Sequence, residues 1–584
     1  MPAPLKETVA AALAAALSIP PAEAAAALTV PPDPKLGDLA LPCFKFAKQL
    51  KKAPPAIAAE LKGKINLPAD VVERIEVQGG FLNFFAAKAG QAQNILQAIF
   101  QQREQYGATT EGAGQTVVID FSSPNVAKPF HAGHLGTTIL GESLARLYDF
   151  AGYKVVRVNH LGDWGVQNGF QVLAWLRGGR EKFAGRTPTV EDLADLYVAI
   201  NLEAKTHPEL DQEARRIFKA IEDGNAEYRA ISDMYRDISI AALENFYTEL
   251  DIRFDSFKGE AYHEQFIKAM LAEFRAKPGF LVESKGAQVV DLTEFGIEAP
   301  CIVVKADGAT IYATRDLATA IERAKTWHFA KNIYVTDLSQ EFHFSQFFKV
   351  LQKFGYPWAT PEKLIHVPTG RMFLRLDTGE VVLMTTRGGV MITLTQFIAR
   401  MQKTVRDIIA EKNPDLPDPD AVAKTLGYNA IKFWIQSKSR LSKIIFDWKE
   451  ATNPQGATGP YLNYTYARMA SILKKLAEQK GIGVEALDPA RVSTLGDPKE
   501  SAVLKRLEQF PATLLRARNE HEPSVLAGYL IELAQEFNAF YFSQQVLNAE
   551  TDALRHDRAC LVRAAQGVLG RGLTLIGIKP IDAM

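Results

Sequence analysis

At 584 residues the chain is long enough for three or four domains, and 47% apolar with 23% charged residues is an ordinary globular composition. Its three cysteines, Cys43, Cys301 and Cys560, lie far apart and form no CxxC pair. That spacing suggests neither a disulfide framework nor a structural zinc site, and a reducing, cytoplasmic setting is expected. Basic and acidic residues balance at 67 each, yet residues 1–110 carry +2, residues 421–584 carry +5 and the middle carries −7. Mildly basic ends around an acidic centre suit flanking domains that hold a polyanion.

The chain opens with alanine-rich sequence from Val9 to Leu17 that resumes after Pro20-Pro21. A single Lys6, offset by Glu7, gives no leader-like charge, so two helical stretches are expected here. No stretch has the length and apolarity of a membrane span, and no membrane partner is expected. The strings GDLALPCFKFAKQLKKAP and VQGGFLNFFA bracket a helical region bearing Lys48, Lys51 and Lys52. Residues 1–112 are therefore expected to form a small α+β domain, joined by a polar linker over residues 101–116.

Val117-Val118-Ile119 reads as a buried strand, Ser122-Ser123-Pro124-Asn125 as a turn, and Leu135, Ile139, Leu140, Leu144 and Leu147 recur at helical spacing. Lys128, Pro129 and His131-Ala132-Gly133-His134 thus sit where the chain enters a helix N-terminus. Free amides and the positive dipole end make that a natural anion site. His131 and His134 share a helical face, and Gly133 lets a planar ring lie against the backbone. No Walker loop is present in this stretch. Tyr153 to Gly165 repeats the strand-to-loop pattern and ends in NHLGDWG, polar residues at a strand's C-terminal end, where open parallel sheets bind ligands.

Residues 190–280 are helical in pattern and poor in chemistry. A hairpin is expected from Cys301 to Lys305, a turn at Asp307-Gly308, and Thr310 to Ala313. It puts Tyr312 at a strand end and Asp316 in the first turn of the next helix. Ile333-Tyr334-Val335 then leads to Asp337, Gln340 and His343, and this alternation of strands and helices predicts a doubly wound parallel sheet over 113–415. After the strand Leu364 to Val367 comes Met384-Thr385-Thr386-Arg387-Gly388-Gly389, a glycine-rich loop whose one basic residue is Arg387. From DLPDPD onward, residues 416–584 read as an all-α domain. It carries ATGPYLNYTYAR, whose Tyr461, Tyr464 and Arg468 make a surface suited to stacking unpaired bases.

SPNxAKPxHxGH, NHLGDWG, YxTRD and TGPYLxY together resemble the arginyl-tRNA synthetases, members of the class I aminoacyl-tRNA synthetases. The resemblance runs the length of the chain, adding FNAFY, ALR and the closing Pro580 to Met584. It implies a multidomain α/β protein. A Rossmann-like catalytic domain with a helical insertion would lie between an N-terminal tRNA-contacting domain and an α-helical anticodon-binding bundle. It implies ligation of L-arginine to tRNA(Arg) through arginyl-adenylate, with ATP and Mg²⁺ as the substrate complex and no tightly bound protein metal. The enzyme is expected to be a monomer.

By the same resemblance Lys128, His131, His134 and Arg387 would be catalytic, and His131, Gly133, His134, Gly136 and Met384 would bind ATP. Asp120, Ser123, Pro124, Asn125, His134, Tyr312, Asp316 and Gln340 would bind arginine. Tyr461, Tyr464, Arg468 and Met584 would meet tRNA. The 384–389 loop resembles the degenerate, lysine-free version of the KMSKS loop, and Lys128 is expected to supply the missing charge. Two other readings stay open from the residues: a class I enzyme for another amino acid or a related nucleotidyltransferase, and a tRNA-binding protein without catalysis. A substrate guanidinium is always charged and presents a rigid fork of donors, so the paired carboxylates Asp120 and Asp316 favour arginine.

Overall fold

In the computed structural model, which describes residues 3–33, 36–69, 71–128, 130–384 and 392–583, a four-stranded parallel sheet forms the centre. Its strands are β1 (Thr116–Asp120), β2 (Lys154–Val158), β3 (Lys331–Asp337) and β4 (Leu364–Thr369). They lie side by side in the order β4-β3-β1-β2. Strand alternation decides how the sheet is covered. Val117, Ile119, Ile333 and Val335 pack on one face with α1 (Leu135–Phe150). Val118, Val156, Val158 and Tyr334 pack on the other with α2 (Glu260–Ala276), α3 (Tyr312–Trp327) and α4 (Glu341–Phe354). Helices on both faces make the sheet doubly wound, as the sequence pattern predicts. Chain order reverses between β1 and β3, so the crevice at their C-terminal ends is the expected ligand position.

Three local expectations change. The arm Thr310 to Ala313 contributes only an isolated bridge, Val304 to Thr310, and Tyr312 is the first residue of α3. Asp316 accordingly lies one turn into the helix, past the dipole end. Cys301–Val304 instead pairs with Ala287–Val290, which pairs with Val282–Ser284, in a separate antiparallel sheet. Finally, Ile444–Phe446 runs parallel to Met372–Arg375, so beyond residue 416 the chain returns to a catalytic-side sheet before the helices resume.

The N-terminal helices Ala3–Leu17, Pro21–Ala27 and Pro54–Lys64 cover a three-stranded antiparallel sheet of Leu39–Pro42, Val72–Gln78 and Phe81–Ala86. Leu5, Val9, Leu13, Leu39, Ile57, Leu82 and Phe84 make its own core. The next helix, Lys88–Gln102, buries Ala92, Ile95, Leu96 and Ile99 in the main core instead. Its neighbours are C-terminal: Tyr106 donates to the Leu507 carbonyl at 3.3 Å, and Gln91 donates to Glu508 at 3.4 Å. The expected boundary at residue 112 thus falls a whole helix after the first core has closed.

The C-terminal bundle contains α5 (Pro419–Gln436), α6 (Gly459–Lys480), α7 (Ser524–Ser543) and α8 (Asp552–Leu575). The tail after α8 is read by α5 through its backbone. Lys432 donates to the Gly577 carbonyl at 2.6 Å, Gln436 donates to the Ile576 carbonyl at 2.7 Å, and Asn429 bonds both the N–H and the carbonyl of Lys579. Among the described residues no single helix is long and apolar enough to cross a membrane.

Candidate active site and nucleic-acid interface

The loop leaving β1 is strained. Ser122, Ser123 and Ala127 adopt φ of +73°, +47° and +54°, left-handed values that side-chain-bearing residues hold only when their surroundings over-determine them. The surroundings do so here. The Ser123 N–H donates to Asn159 Oδ1 at 3.1 Å, and Ser123 Oγ donates to Asp120 Oδ1 at 2.9 Å. Ser122 Oγ lies 2.8 Å from the Tyr247 hydroxyl, which also accepts from Asn159. NHLGDWG supplies the other wall. The Gly162 N–H donates to the Pro124 carbonyl, and a Cβ at Gly162 would stand 2.3 Å from Asn125 Oδ1. That glycine is what leaves room for Asn125.

His131 and His134 stand at the entry to α1 with ring centroids 3.9 Å apart, and His134 stacks on Phe130 at 4.8 Å. His131 Nδ1 accepts from the Gly133 N–H, and His134 Nδ1 accepts from the His131 N–H. With both Nδ1 atoms accepting, each neutral ring carries its proton on Nε2. Burial lowers the pKa of His131. Burial, the neighbouring His131 and Lys128 push His134 down to about 3. Two uncharged imidazoles thus offer Nε2–H donors at an amide-rich helix entry. Gly133 is required by space: a Cβ there would lie 2.7 Å from both His131 Cε1 and the Met384 carbonyl. At Gly136 a Cβ would meet only Met372, at an ordinary 3.7 Å.

The lysine-free loop is anchored to the same motif at both ends. Met384 is buried with its carbonyl against Gly133, while the Ala132 N–H donates to the Ile392 carbonyl and the Leu394 N–H to that of Phe130. Arg387, expected between these anchors, and Met584 at the chain end lie outside the described residues. Lys128 is half-buried three residues before His131.

On the other side of the crevice, α3 presents Tyr312, Asp316 and Arg323. Tyr312 is 52% exposed and its ring lies 4.4 Å from that of His343, which meets Asp316 Oδ2 at 2.6 Å. Gln340 is exposed on the turn Leu338–Gln340 after β3. Asp120 is not available as a second carboxylate for a bound guanidinium. Its Oδ2 accepts from Nη2 of Arg323 at 2.7 Å, its Oδ1 accepts from Ser123, and its side chain is 8% exposed. The guanidinium that Asp120 meets is the protein's own.

Sequence reasoning missed two groups here, Glu260 and Arg323, and left a third, His160 of NHLGDWG, without a role. Glu260, at the start of α2, pairs with Arg315 Nε at 2.9 Å, yet burial raises its pKa to about 7. His160 has both ring nitrogens buried without a partner among the described residues, and burial, with Arg323 and His263 beside it, pushes it to about 3. Arg323 is wholly buried. Its one available signal was its position seven residues after Asp316, on the same helix face. Among the described residues no cluster of three or more His, Cys, Asp or Glu side chains is arranged to hold a metal ion.

In the C-terminal bundle a cavity of about 1170 Å³ opens between α6, α7 and the tail, lined by Tyr464, Arg468, Lys474, Lys475, Tyr541 and Phe542 among others. The Arg468 guanidinium lies 5.0 Å from the rings of Tyr464 and Tyr541 and 5.1 Å from that of Phe542. Asn538 fixes Arg468 by accepting its hydrogen bond, and donates to the Tyr461 hydroxyl at 3.0 Å. Tyr461 therefore braces the arginine from within, while Tyr464 and Phe542, 47% and 75% exposed, face outward. Phe542 was also missed. FNAFYF gives no sign that Phe537 and Phe540 point inward and Phe542 out.

Comparison with known proteins matches all three parts of the chain. The family described as tRNA synthetases class I (R), catalytic domain, matches residues 95–448. The arginyl tRNA synthetase N terminal domain matches 3–86, and the DALR anticodon binding domain matches 462–584. An arginine--tRNA ligase of Clostridium perfringens is 41% identical over 551 residues, and one of Streptococcus mutans is 40% identical over 549; each alignment covers 94% of both chains. Among solved structures, the Thermus thermophilus arginyl-tRNA synthetase superimposes with a TM-score of 0.75 at 26% identity, over 95% of this chain and 96% of that one. The Plasmodium falciparum arginyl-tRNA synthetase shares the fold at a TM-score of 0.77 and 23% identity, over 95% and 94%.

Proposed function

Because this chain belongs to the class I arginyl-tRNA synthetases, which use ATP to join arginine to tRNA, we propose that the residues described above divide that reaction as follows. Arginine lies across the C-terminal ends of β1 and β3. Tyr312 and Asp316 take its guanidinium, with Glu260 nearby, and Ser123, Pro124, Asn125, His134 and Gln340 surround its α-amino and carboxylate groups. ATP binds over His131, Gly133, His134, Gly136 and Met384, and Mg²⁺ arrives on its triphosphate as part of the substrate. The carboxylate attacks the α-phosphate, pyrophosphate leaves, and a hydroxyl at the tRNA 3′ end then displaces AMP.

Catalysis of this kind needs alignment and charge stabilisation more than bond-making groups. The observation that carries the assignment is the pair of neutral histidines, each with an Nε2–H donor, at a helix entry to which both ends of the 384–392 segment are anchored. Lys128 and Arg387 supply positive charge for the leaving pyrophosphate, Lys128 being the larger contributor.

The N-terminal unit closes its core by Ala86, the catalytic unit runs from the helix Lys88–Gln102 to the strand Ile444–Phe446, and the helices from Gly459 onward make the anticodon-binding unit. The aromatic cage around Arg468, with Tyr461 behind it and Met584 at the chain end, holds unpaired anticodon bases of tRNA(Arg). The exposed pair Phe44–Phe81, 5.4 Å apart where the turn Cys43–Phe46 meets the strand Phe81–Ala86, contacts the tRNA body. The enzyme works as a cytoplasmic monomer. Pyrophosphate exchange with tRNA present tests the phosphate assignment. Lys128→Ala should lose most of kcat with the KM for arginine within about twofold, because the charge acts chiefly in the transition state. Retention of kcat by Lys128→Ala, with its loss in Arg387→Ala, would overturn that assignment.

A further inference from the structure

Arg323 has no place in the reaction as described, and its setting is unusual. A fully buried guanidinium is costly unless paired. Among the described residues Asp120 is the one carboxylate that pairs with it, while its Nε and Nη1 find no acceptor. The link continues outward. Asp120 holds Arg323 on Oδ2 at 2.7 Å and accepts from Ser123 Oγ on Oδ1 at 2.9 Å, and Asn159 holds the Ser123 N–H at 3.1 Å. Ser123 itself is fixed at φ +47°. Its conformation, main-chain N–H and hydroxyl proton are thus all committed on the protein side.

A serine hydroxyl has one proton and two lone pairs. Paired with a permanent cation, Asp120 acts as an acceptor, so the Ser123 proton points at Asp120 and only lone pairs face the crevice. Such an oxygen accepts from a substrate ammonium and repels a substrate carboxylate. We propose that Arg323 is a positioning residue that acts through Asp120 to orient the Ser123 hydroxyl as an acceptor for the α-ammonium group of the amino-acid substrate. This rests on the reading that places arginine's α-groups at Ser123. It goes further by saying which of them Ser123 meets and what holds it there. It also gives Asp120 a role other than guanidinium binding.

The test uses the full-length enzyme, each KM being taken with the other two substrates saturating. Arg323→Lys keeps the charge but loses the fork that reaches Asp120, and should raise the arginine KM at least tenfold with the ATP KM within twofold. Two competitive inhibitors separate positioning from general damage. The Ki of agmatine, which keeps an amine but lacks the carboxylate, should rise in parallel. That of 5-guanidinopentanoate, which lacks the amine, should stay within twofold.

Ser123→Ala should reproduce this pattern, and adding Arg323→Lys to it should change the KM by no more than twofold, as expected for links of one chain. If Ser123→Ala raises the arginine KM while Arg323→Lys does not, or if the two effects multiply, the relay is wrong and the site stands. An arginine KM unmoved by Ser123→Ala overturns the site reading, and the relay with it. Should Arg323→Lys fail to fold, Asp120→Asn interrupts the same link from the other side, with the same inhibitor pattern expected.

Discussion

The crevice at β1 and β3 and the cage around Arg468 both present arginine and aromatic side chains, but in opposite states. In the crevice, apart from the exposed Tyr312 and Gln340 at its mouth, the polar groups are sunk and spoken for: Arg323 is fully buried, Ser123 donates its hydroxyl proton to Asp120, and two histidines are kept neutral by burial. At the cage Arg468 is ringed by Tyr464, Tyr541 and the 75% exposed Phe542, with Asn538 bracing it from below. A small charged substrate is distinguished by groups that cannot rearrange, so a site for it must be dry and pre-ordered. A flexible polymer is gripped by flat faces that leave water only when it arrives.

The largest test of this contrast is Asp316→Asn. The change is isosteric and keeps a partner for His343, so the fold should survive. A substrate guanidinium would lose its counter-charge in a partly desolvated pocket, at a cost of about 2–5 kcal/mol, read as a rise in arginine KM with the tRNA KM unmoved. A shift under about threefold would mean the crevice does not discriminate through Asp316.

Next in size is the cage. Phe542→Ala should weaken tRNA by about 1–3 kcal/mol, the scale of one stacked base, and leave the arginine KM alone. An acceptor-stem minihelix should not notice the change. Tyr461→Ala should give a comparable loss by a different route, because it removes the brace on Asn538, and it should lower the melting temperature where Phe542→Ala does not. Equal effects of Phe542→Ala on minihelix and whole tRNA would remove the cage from anticodon binding.

The smallest effect is a pH slope. His134 and His160 are each pushed from 6.5 to about 3, chiefly by burial. The unfolded chain therefore binds more protons than the folded one below 6.5. Their contribution is fully present above that pH and is lost as pH falls towards 3, at up to about 1.4 kcal/mol per unit for each histidine. A His134→Asn variant should show a shallower loss of stability between pH 6.5 and 5 than the parent. The residues lining the cage include no histidine, so tRNA binding there should lack this slope. An unchanged slope in the variant would mean His134 is not held neutral by the fold.

How much of this could be read in advance depends on the kind of signal. β1, β3 and α1 were legible because their apolar periods are long and uninterrupted. The strands Val282–Ser284 and Ala287–Val290 were not, since VES and AQVV are short and carry little apolar alternation, and VES is exposed throughout. The two glycines of the histidine motif look alike in sequence, yet only at Gly133 would a Cβ stand 2.7 Å from a ring and a carbonyl. Arg323 was invisible for a stronger reason. An arginine on a helix is ordinarily solvated, and only the fold brings Asp120, 203 residues earlier, to meet it.

The separate closure of the N-terminal core has a consequence for unfolding. Leu5 to Ala86 share one apolar cluster, whereas Ala92 through Ile578 feed the clusters on the two faces of the central sheet, so the apolar core is interrupted between Ala86 and Ala92. Heat should therefore empty this protein in stages, and a single midpoint would average unrelated events. Calorimetry should resolve an endotherm for residues 3–86 distinct from that of the body. A destabilised His134 or Tyr461 variant should then move only the second peak, leaving the first as an internal reference within the same molecule.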